Sequence, residues 1–393
     1  MRLLILTLAS SILGFSLAKR RDELQQVLLS RPERALLTVE LRELVGNPIG
    51  IVALAAVGTP PQPFRLLVDL LEGPFFLPGA GIEDEEGGTR DDLNLYFANE
   101  STTYASGGHE RLRREHGGVY FWGELTTDTF RIAGLDLSRQ PFLHADRYGS
   151  DWIDFYMEYD AVLGLRTQTA DDSSPFPSPW TSMVQQGTLE KNLFAISIPS
   201  EASGESGKLP FGVIDPAYTS SPFRSVPLVG HDGGAATWSV PLRSLSSPVL
   251  TTEWFAAVPR AFRWRWARDV ALGCAIMHMH CEVDCARRAG MPDTVVGLGE
   301  HEFRVAARQY ARPIIRARDG RELCLVSMVD AEQLRDPRGP LGGTNMVFGL
   351  SFLRAFYRSV VPSLVGSRET NSSSLSVFDL DQREIRLTEK LAV

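Results

Sequence analysis

The stretch "VDLLEGPFFLP" at 68–78, entered through "GTPPQ" at 58–62, sets the reading of this chain. It puts one carboxylate, Asp69, at the end of an apolar run and a second, Glu72, three residues further on. "GPFFLP" then returns the chain to large apolar residues. The same texture extends outward from residue 48. Runs such as "IGIVALAAVG", "PFRLLVDLL", "VYFWGELTTDTFRIAG" and "NLFAISIP" are separated by Gly, Pro, Ser and Asp clusters. Short apolar or alternating segments with frequent turn residues predict mainly β structure.

The whole chain has 393 residues, enough for two domains of ordinary size or one large β architecture. Hydrophobic residues at 44% and charged residues at 22% are ordinary values for a globular protein with a filled core. A net charge of −8 excludes a general nucleic-acid binder, since nothing basic on balance can replace phosphate counterions. The first 18 residues, "MRLLILTLASSILGFSLA", have one arginine before an apolar run and small residues at Ser16–Ala18. This pattern predicts a signal peptide over 1–18, and the run is too short to span a bilayer comfortably. Secretion follows, into the medium or the lumen of the secretory or endolysosomal pathway. Two sequons, at Asn99 and Asn371, suit that route. The four cysteines, Cys274, Cys281, Cys285 and Cys324, favour two disulfides in an oxidising compartment.

Residues 19–47 are charged and leucine-spaced, and "DELQQVLL" within them reads as a short amphipathic helix. The stretches at 79–92 and 167–179 read as surface loops, and "SEASGESGK" at 200–208 as a junction. A two-fold echo runs through the chain: Ala161-Val162-Leu163-Gly164-Leu165 recurs in kind as Met346-Val347-Phe348-Gly349-Leu350. In both copies the glycine marks a place where another segment passes too close for a side chain.

Together these landmarks resemble the pepsin-like (A1 family) aspartic proteases over about residues 48–390. "GTPPQPFRLLVD" (58–69), "FANESTTY" (97–104), "GELTTDTFRIAGL" (123–135), "YDAVLGL" (159–165) and "LPFGVIDPAYTSSPFRSVPL" (209–228) are similar to family segments in family order. "CARRAGMPDTVVGLGEHEFRVAARQY" (285–310) and "MVFGLSFLRAFYRSV" (346–360) continue the match. The resemblance implies an all-β, mainly antiparallel, bilobal fold with a central cleft. It implies an N-terminal lobe over 48–199 and a C-terminal lobe over 200–393, with 19–47 either a propeptide-like remnant or a plain extension. It also implies a Cys285–Cys324 disulfide, which leaves Cys274 and Cys281 to each other.

The family hydrolyses peptide bonds with two aspartates that share a proton across a water molecule: one carboxylate takes a proton from water while the other polarises the scissile carbonyl. Here the first motif reads Asp69-Leu70-Leu71-Glu72 where Asp-Thr-Gly-Ser is expected. Asp69 survives, but Leu71 replaces the turn glycine and the supporting hydroxyls are gone. Glu72 stands at the small serine and reads as a loop residue. For the second motif, counting from Cys285 and Trp238 sets "FAAVPRAFR" (255–263) on it, with Pro259 at the aspartate and Ala261 at the glycine. A rival register puts His278 there but leaves too few residues before Cys285. His116 falls where the flap tyrosine stands, Gly117 still matches, and Leu350 replaces an aspartate. An acid–base group is worth about 10²–10⁴-fold, so losing one and misplacing the other predicts a pseudoprotease.

The expected function is binding of a peptide, protein or apolar ligand in the interlobe cleft, by a monomer with no cofactor and no metal. An aspartic endopeptidase working at acidic pH through Asp69 and an interaction protein with a relic cleft are the alternatives. Cys274, His278, His280, Cys281 and Cys285 are dense enough to suggest zinc, but disulfides compete for the thiols. "PRAFRWRWARD" (259–269) interleaves arginine with aromatic residues and reads as a packed segment with solvated arginines. Asp160 and Asp215 read as structural capping residues.

Overall fold

The computed structural model describes residues 38–43, 51–70, 75–85, 87–88, 93–116, 119–150, 159–166, 175–199, 206–214, 222–228, 238, 240, 249–250, 256–258, 281–291, 294–316, 321–326, 328–330, 347–348, 353 and 373–389. The expected signal peptide, the helix at 22–29 and the arginine-aromatic segment lie outside them. So do Asp215, Cys274, His278, His280, Leu350 and Asn371.

The N-terminal part is built from β1 (Thr38–Glu43), β2 (Ile51–Val57), β3 (Gln62–Asp69), β4 (Phe76–Glu83), β5 (Ala105–His116), β6 (Val119–Ile132), β7 (Leu135–Ser150) and β8 (Ala161–Gly164). They are joined by β9 (Leu193–Pro199), β10 (Gly207–Pro210) and β11 (Arg224–Pro227), and by two strands from the end of the chain. Between those groups lie β12 (Val249–Leu250), β13 (Ala256–Val258), β14 (Cys281–Asp284), β15 (Thr294–Leu298), β16 (His301–Val305), β17 (Ala311–Arg316), β18 (Glu322–Val326), β19 (Met328–Asp330) and β20 (Val347–Phe348). The last two are β21 (Ser373–Asp379) and β22 (Glu384–Glu389). A 13-stranded sheet runs β11-β22-β21-β9-β10-β1-β2-β6-β7-β4, with β3 and β5 paired off it and β8 paired to β3. Most pairings are antiparallel; β3–β8, β4–β7, β12–β20 and β13–β19 are parallel. The described chain is therefore mostly β, as the spacing of apolar runs predicts, and mainly antiparallel, as the family resemblance implies.

Sequence texture maps onto burial. β2 reads IVALAAV and is buried throughout, whereas β6 alternates buried and half-buried positions, the period-two signature of a strand with one covered face. "GTPPQ" is the hairpin turn between β2 and β3, which opens on Gly58 at φ +94° and closes with Val57 opposite Gln62. Positive φ favours glycine there. The buried Gln62 side chain donates to the Phe97 carbonyl at 2.9 Å and accepts from the Phe97 amide at 2.8 Å. Thr102 and Thr103 donate to Thr59, at 3.1 and 3.0 Å. "GTPPQ" and "FANESTTY" are thus two halves of one hydrogen-bonded corner.

Three readings change. Residues 38–43, inside the expected N-terminal extension, form β1, paired on one side to β10 and on the other to β2. The alternation Val39, Leu41 was masked in the sequence by its charged neighbours. The expected loop at 79–92 begins late, since β4 continues to Glu83, which pairs with Arg147. The loop at 167–179 ends in structure: Phe176 is buried and Ser178 caps the helix Pro179–Gln185, accepting from the Thr181 amide at 3.1 Å.

Behind β3 and β8 an aromatic cluster fills the core. Phe194 stacks on Phe378 at 4.8 Å and meets Trp180 and Trp238 edge-on at 5.0 and 5.4 Å. The Trp238 indole donates to the Leu165 carbonyl at 2.9 Å, so this cluster reaches the residue after β8. Further on, a disulfide joins Cys285 to Cys324 with Cα atoms 5.0 Å apart.

One buried carboxylate ties β3 to β8. Asp160, with no solvent exposure, accepts from the Arg65 amide at 2.6 Å and the Arg65 guanidinium at 2.6 Å. It also accepts from the Asn94 amide at 2.9 Å and the Asn94 side chain at 2.8 Å. Asp160 is therefore structural, as its context suggested. Asp160→Ala leaves these donors facing a hole, and unfolding in urea is expected to show a loss of about 3–5 kcal/mol.

His144 on β7 makes an edge-on contact with Tyr96 at 5.3 Å. Burial holds its imidazole below the ordinary value, against the pull of Asp146 and Glu124. The unfolded chain, titrating near ~6.5, then binds the proton more readily than the folded one. Stability is lost as pH falls through the interval between the two midpoints. Urea unfolding at a series of pH values is expected to show this acid slope, and His144→Gln to flatten it by up to about 1.4 kcal/mol per pH unit.

Candidate functional site

Asp69 closes β3, and its neighbours follow from strand pairing. β3 runs parallel to β8 with Leu66 opposite Ala161 and Asp69 opposite Gly164. The Asp69 carbonyl accepts from the Leu165 amide at 2.7 Å. This pins the backbone on both sides of the glycine in "AVLGL". Asp69 is 3% exposed and Leu70 is wholly buried. A threonine at position 70 would carry a hydroxyl near the carboxylate; leucine brings only hydrocarbon. Leu71 and Glu72 lie outside the described residues, and "FF" resumes the core. Phe75 makes edge contacts with Phe130 and Phe142 at 5.4 and 6.0 Å, and Phe76 stacks on Phe121 at 4.2 Å.

Over this floor comes the long β5–β6 hairpin, whose described strands end at His116 opposite Val119. The hairpin is held to β7 across nearly the full length of β6. Gly123 allows this: a Cβ there would lie 1.9 Å from the His144 carbonyl oxygen. Arg113 stacks over Tyr120 at 4.1 Å and Arg114 over Phe176 at 4.6 Å, which fixes the strand next to its tip.

His116 is 9% exposed, and its Nδ1 lies 4.0 Å from Asp69 Oδ2. Its ring meets Tyr159 edge-on at 6.1 Å. Two residues noted separately in the sequence, 47 positions apart, therefore face each other: the carboxylate on the floor and the imidazole on the hairpin. Protonated, His116 forms an ion pair with Asp69; neutral, it leaves a buried carboxylate beside an uncharged ring. The pair is one carboxylate and one imidazole, a different arrangement from two aspartates sharing a proton. Tyr159 is the member that sequence reasoning missed; its place immediately before Asp160 was the available signal.

Gly117, Pro259 and Ala261 lie outside the described residues, so the expected second motif is not seen directly. β13 ends one residue before Pro259. Asn99 is exposed in the short turn Ala98–Glu100, and Cys281 is described by its backbone in β14. Among the described residues no group of three or more His, Cys, Asp or Glu side chains is arranged to hold a metal. Among them, too, no helix is long and apolar enough to cross a membrane.

A family model for eukaryotic aspartyl proteases matches residues 52–257. Vacuolar protease A of Aspergillus fumigatus is 23% identical over 312 residues, covering 77% of this chain and 74% of that protease. Embryonic pepsinogen of Gallus gallus is 27% identical over 193 residues, 48% of this chain and 46% of that protein. The crystal structure of an aspartic proteinase from Irpex lacteus superposes with a TM-score of 0.65 at 17% identity, over 90% of this chain and 97% of the other. Shared fold, motif order and family match agree: the chain belongs to the eukaryotic aspartyl protease family.

Proposed function

We propose that this protein is a secreted pepsin-like pseudoprotease that binds a peptide or protein segment in a cleft between its two lobes, without cleaving it. The observation that carries the reading is the state of Asp69. Its carboxylate is flanked by wholly buried Leu70 and faced by the His116 imidazole at 4.0 Å. Peptide hydrolysis by the family needs a second carboxylate that holds the shared proton, a glycine that lets the turn close, and hydroxyls that orient the acids. Leucine at 70 and 71 supplies neither glycine nor hydroxyl, and no Asp-Thr-Gly or Asp-Ser-Gly occurs in the chain.

The remaining parts of the proposal follow the family pattern. The lobes are taken as 48–199 and 200–393, Cys274 is taken to pair with Cys281, and Asn99 and Asn371 carry glycans. The hairpin ending at His116 and the floor at Leu70, Leu71 and Glu72 border the cleft. An extended peptide is the occupant favoured by a long β hairpin closing over a floor of strand ends, since backbone groups on such edges pair with an extended chain. The competing reading, an aspartic endopeptidase, is favoured by the relatives, which are named as proteases or their precursors.

The test separates the two. The secreted full-length protein is incubated with a quenched-fluorescent peptide library across acidic and neutral pH, with and without a pepstatin-type inhibitor, beside the Asp69→Ala variant. Wild type and variant are expected to be equally inert. Cleavage that the inhibitor blocks and Asp69→Ala abolishes would overturn the proposal.

A further inference from the structure

The contact between His116 and Asp69 covers the floor where a ligand in the cleft would have to lie. His116 ends β5, which pairs with β6 and with no other described strand. Its Nδ1 stands 4.0 Å from Asp69 Oδ2, and its ring centre lies 6.1 Å from that of Tyr159. Four ångströms is about the contact distance of non-bonded atoms, so no chain passes between imidazole and carboxylate. A peptide bound between this hairpin and this floor has to part the two. The other anchors near the end of β5 are Arg113 over Tyr120, Arg114 over Phe176, and the pairing of β6 with β7. Arginine stays charged throughout, so those anchors do not respond to pH near neutrality. The pair at the strand end does.

The pair is electrically neutral when it holds one proton, whichever of its members carries it. Both residues are buried, Asp69 at 3% and His116 at 9% exposure, so a net charge on the pair is costly there. Removing the proton leaves a carboxylate beside an uncharged ring, and lifting the hairpin returns that carboxylate to water. The neighbours of His116 do not replace this proton. Tyr159 meets the ring edge-on, and the adjacent Asp160 has its oxygens filled by Arg65 and Asn94. On β5, Arg114 keeps its charge, and Glu115 alternates to the opposite face, 3.9 Å from Arg113. β6 sets the apolar Val119 opposite His116.

We propose that the His116–Asp69 contact is a proton-dependent latch, which holds the hairpin shut over the cleft in mild acid and releases it toward neutral pH, admitting a peptide as the pH rises. Closing keeps one proton on the pair, so closure is lost as pH rises through the midpoint of the pair; an ordinary imidazole titrates near ~6.5. This sense is opposite to that of an endopeptidase working in acid. The ligand rests on the cleft of the proposed function; the motion of the hairpin does not.

Hydrogen–deuterium exchange of the secreted full-length protein tests the motion, with rates corrected for the intrinsic effect of pH. The amides of residues 111–122 are followed from about pH 5 to about pH 8, the range over which imidazole changes charge. Their protection is expected to fall about 10-fold or more with rising pH, the equivalent of one unit of coupling between neighbouring charges. His116→Gln is expected to remove the response. Asp69→Asn is expected to reverse it, since the protonated ring then has no carboxylate to meet. His109 and His144 remain in both variants, and either variant serves if the other fails to fold. A hairpin that does not respond, that tightens as pH rises, or that responds in both variants as in wild type would overturn the latch. Admission of ligand is read separately, as retention of the quenched-fluorescent peptide library by the immobilised protein. Retention about 10-fold greater at neutral than at acidic pH, and equal at both in His116→Gln, is expected. Greater retention in acid would overturn the gating. Retention at neither pH would sink the proposed function, while the exchange data alone decide the latch.

Discussion

Everything near the site depends on how β3 is held against β8. These are parallel neighbours far apart in sequence, and no hairpin sets their register. The Asp160 carboxylate does this work, binding the Arg65 backbone and guanidinium from β3 and both Asn94 nitrogens from the intervening chain. Such a buried charge is tolerable only when its lone pairs are filled, and here they are. Any other register would leave it unsatisfied. From it follow the match of Asp69 to Gly164 and the hydrogen bond from the Leu165 amide to the Asp69 carbonyl. Trp238 then clamps the far side of Leu165. The backbone under the candidate site is thus set by groups that take no part in chemistry.

The surroundings of Asp69 are held by constraints that residue 70 does not share. Gly58, Gln62 and Asp160 each satisfy a constraint that the fold cannot waive: a positive φ, a buried hydrogen-bonded corner, a buried charge. Residue 70 satisfies none. Its side chain lies in the core, where leucine adds buried apolar surface that a hydroxyl would not. His116 stands opposite Asp69, where an imidazole that can carry charge offsets part of the cost of burying a carboxylate.

Legibility in the sequence divides along the same line. β2, β3, β6 and β8 were visible because their apolar runs are bounded by Gly or Pro, and motif order made the family recognisable. β1 was hidden because the charged Glu40, Arg42 and Glu43 interrupt its apolar pattern in the sequence, although Leu41 is buried. Its pairing comes from backbone hydrogen bonds, which composition does not reveal. The approach of His116 to Asp69 was invisible for another reason: it is a contact between strand ends 47 residues apart, and no local pattern encodes it.

Strand pairing supplies a constraint that motif matching lacks. Motif matching sets the second motif at 255–263 by its distances to Trp238 and Cys285. Insertions accumulate in turns and loops, so such distances constrain less than a strand register does. The pairing of Val249 with Val347 and of Leu250 with Phe348 is a register of this kind, because each match fixes the next. The parallel pairs β3–β8 and β12–β20 hold their register through the strands themselves, whatever residue follows Val68 or Leu250.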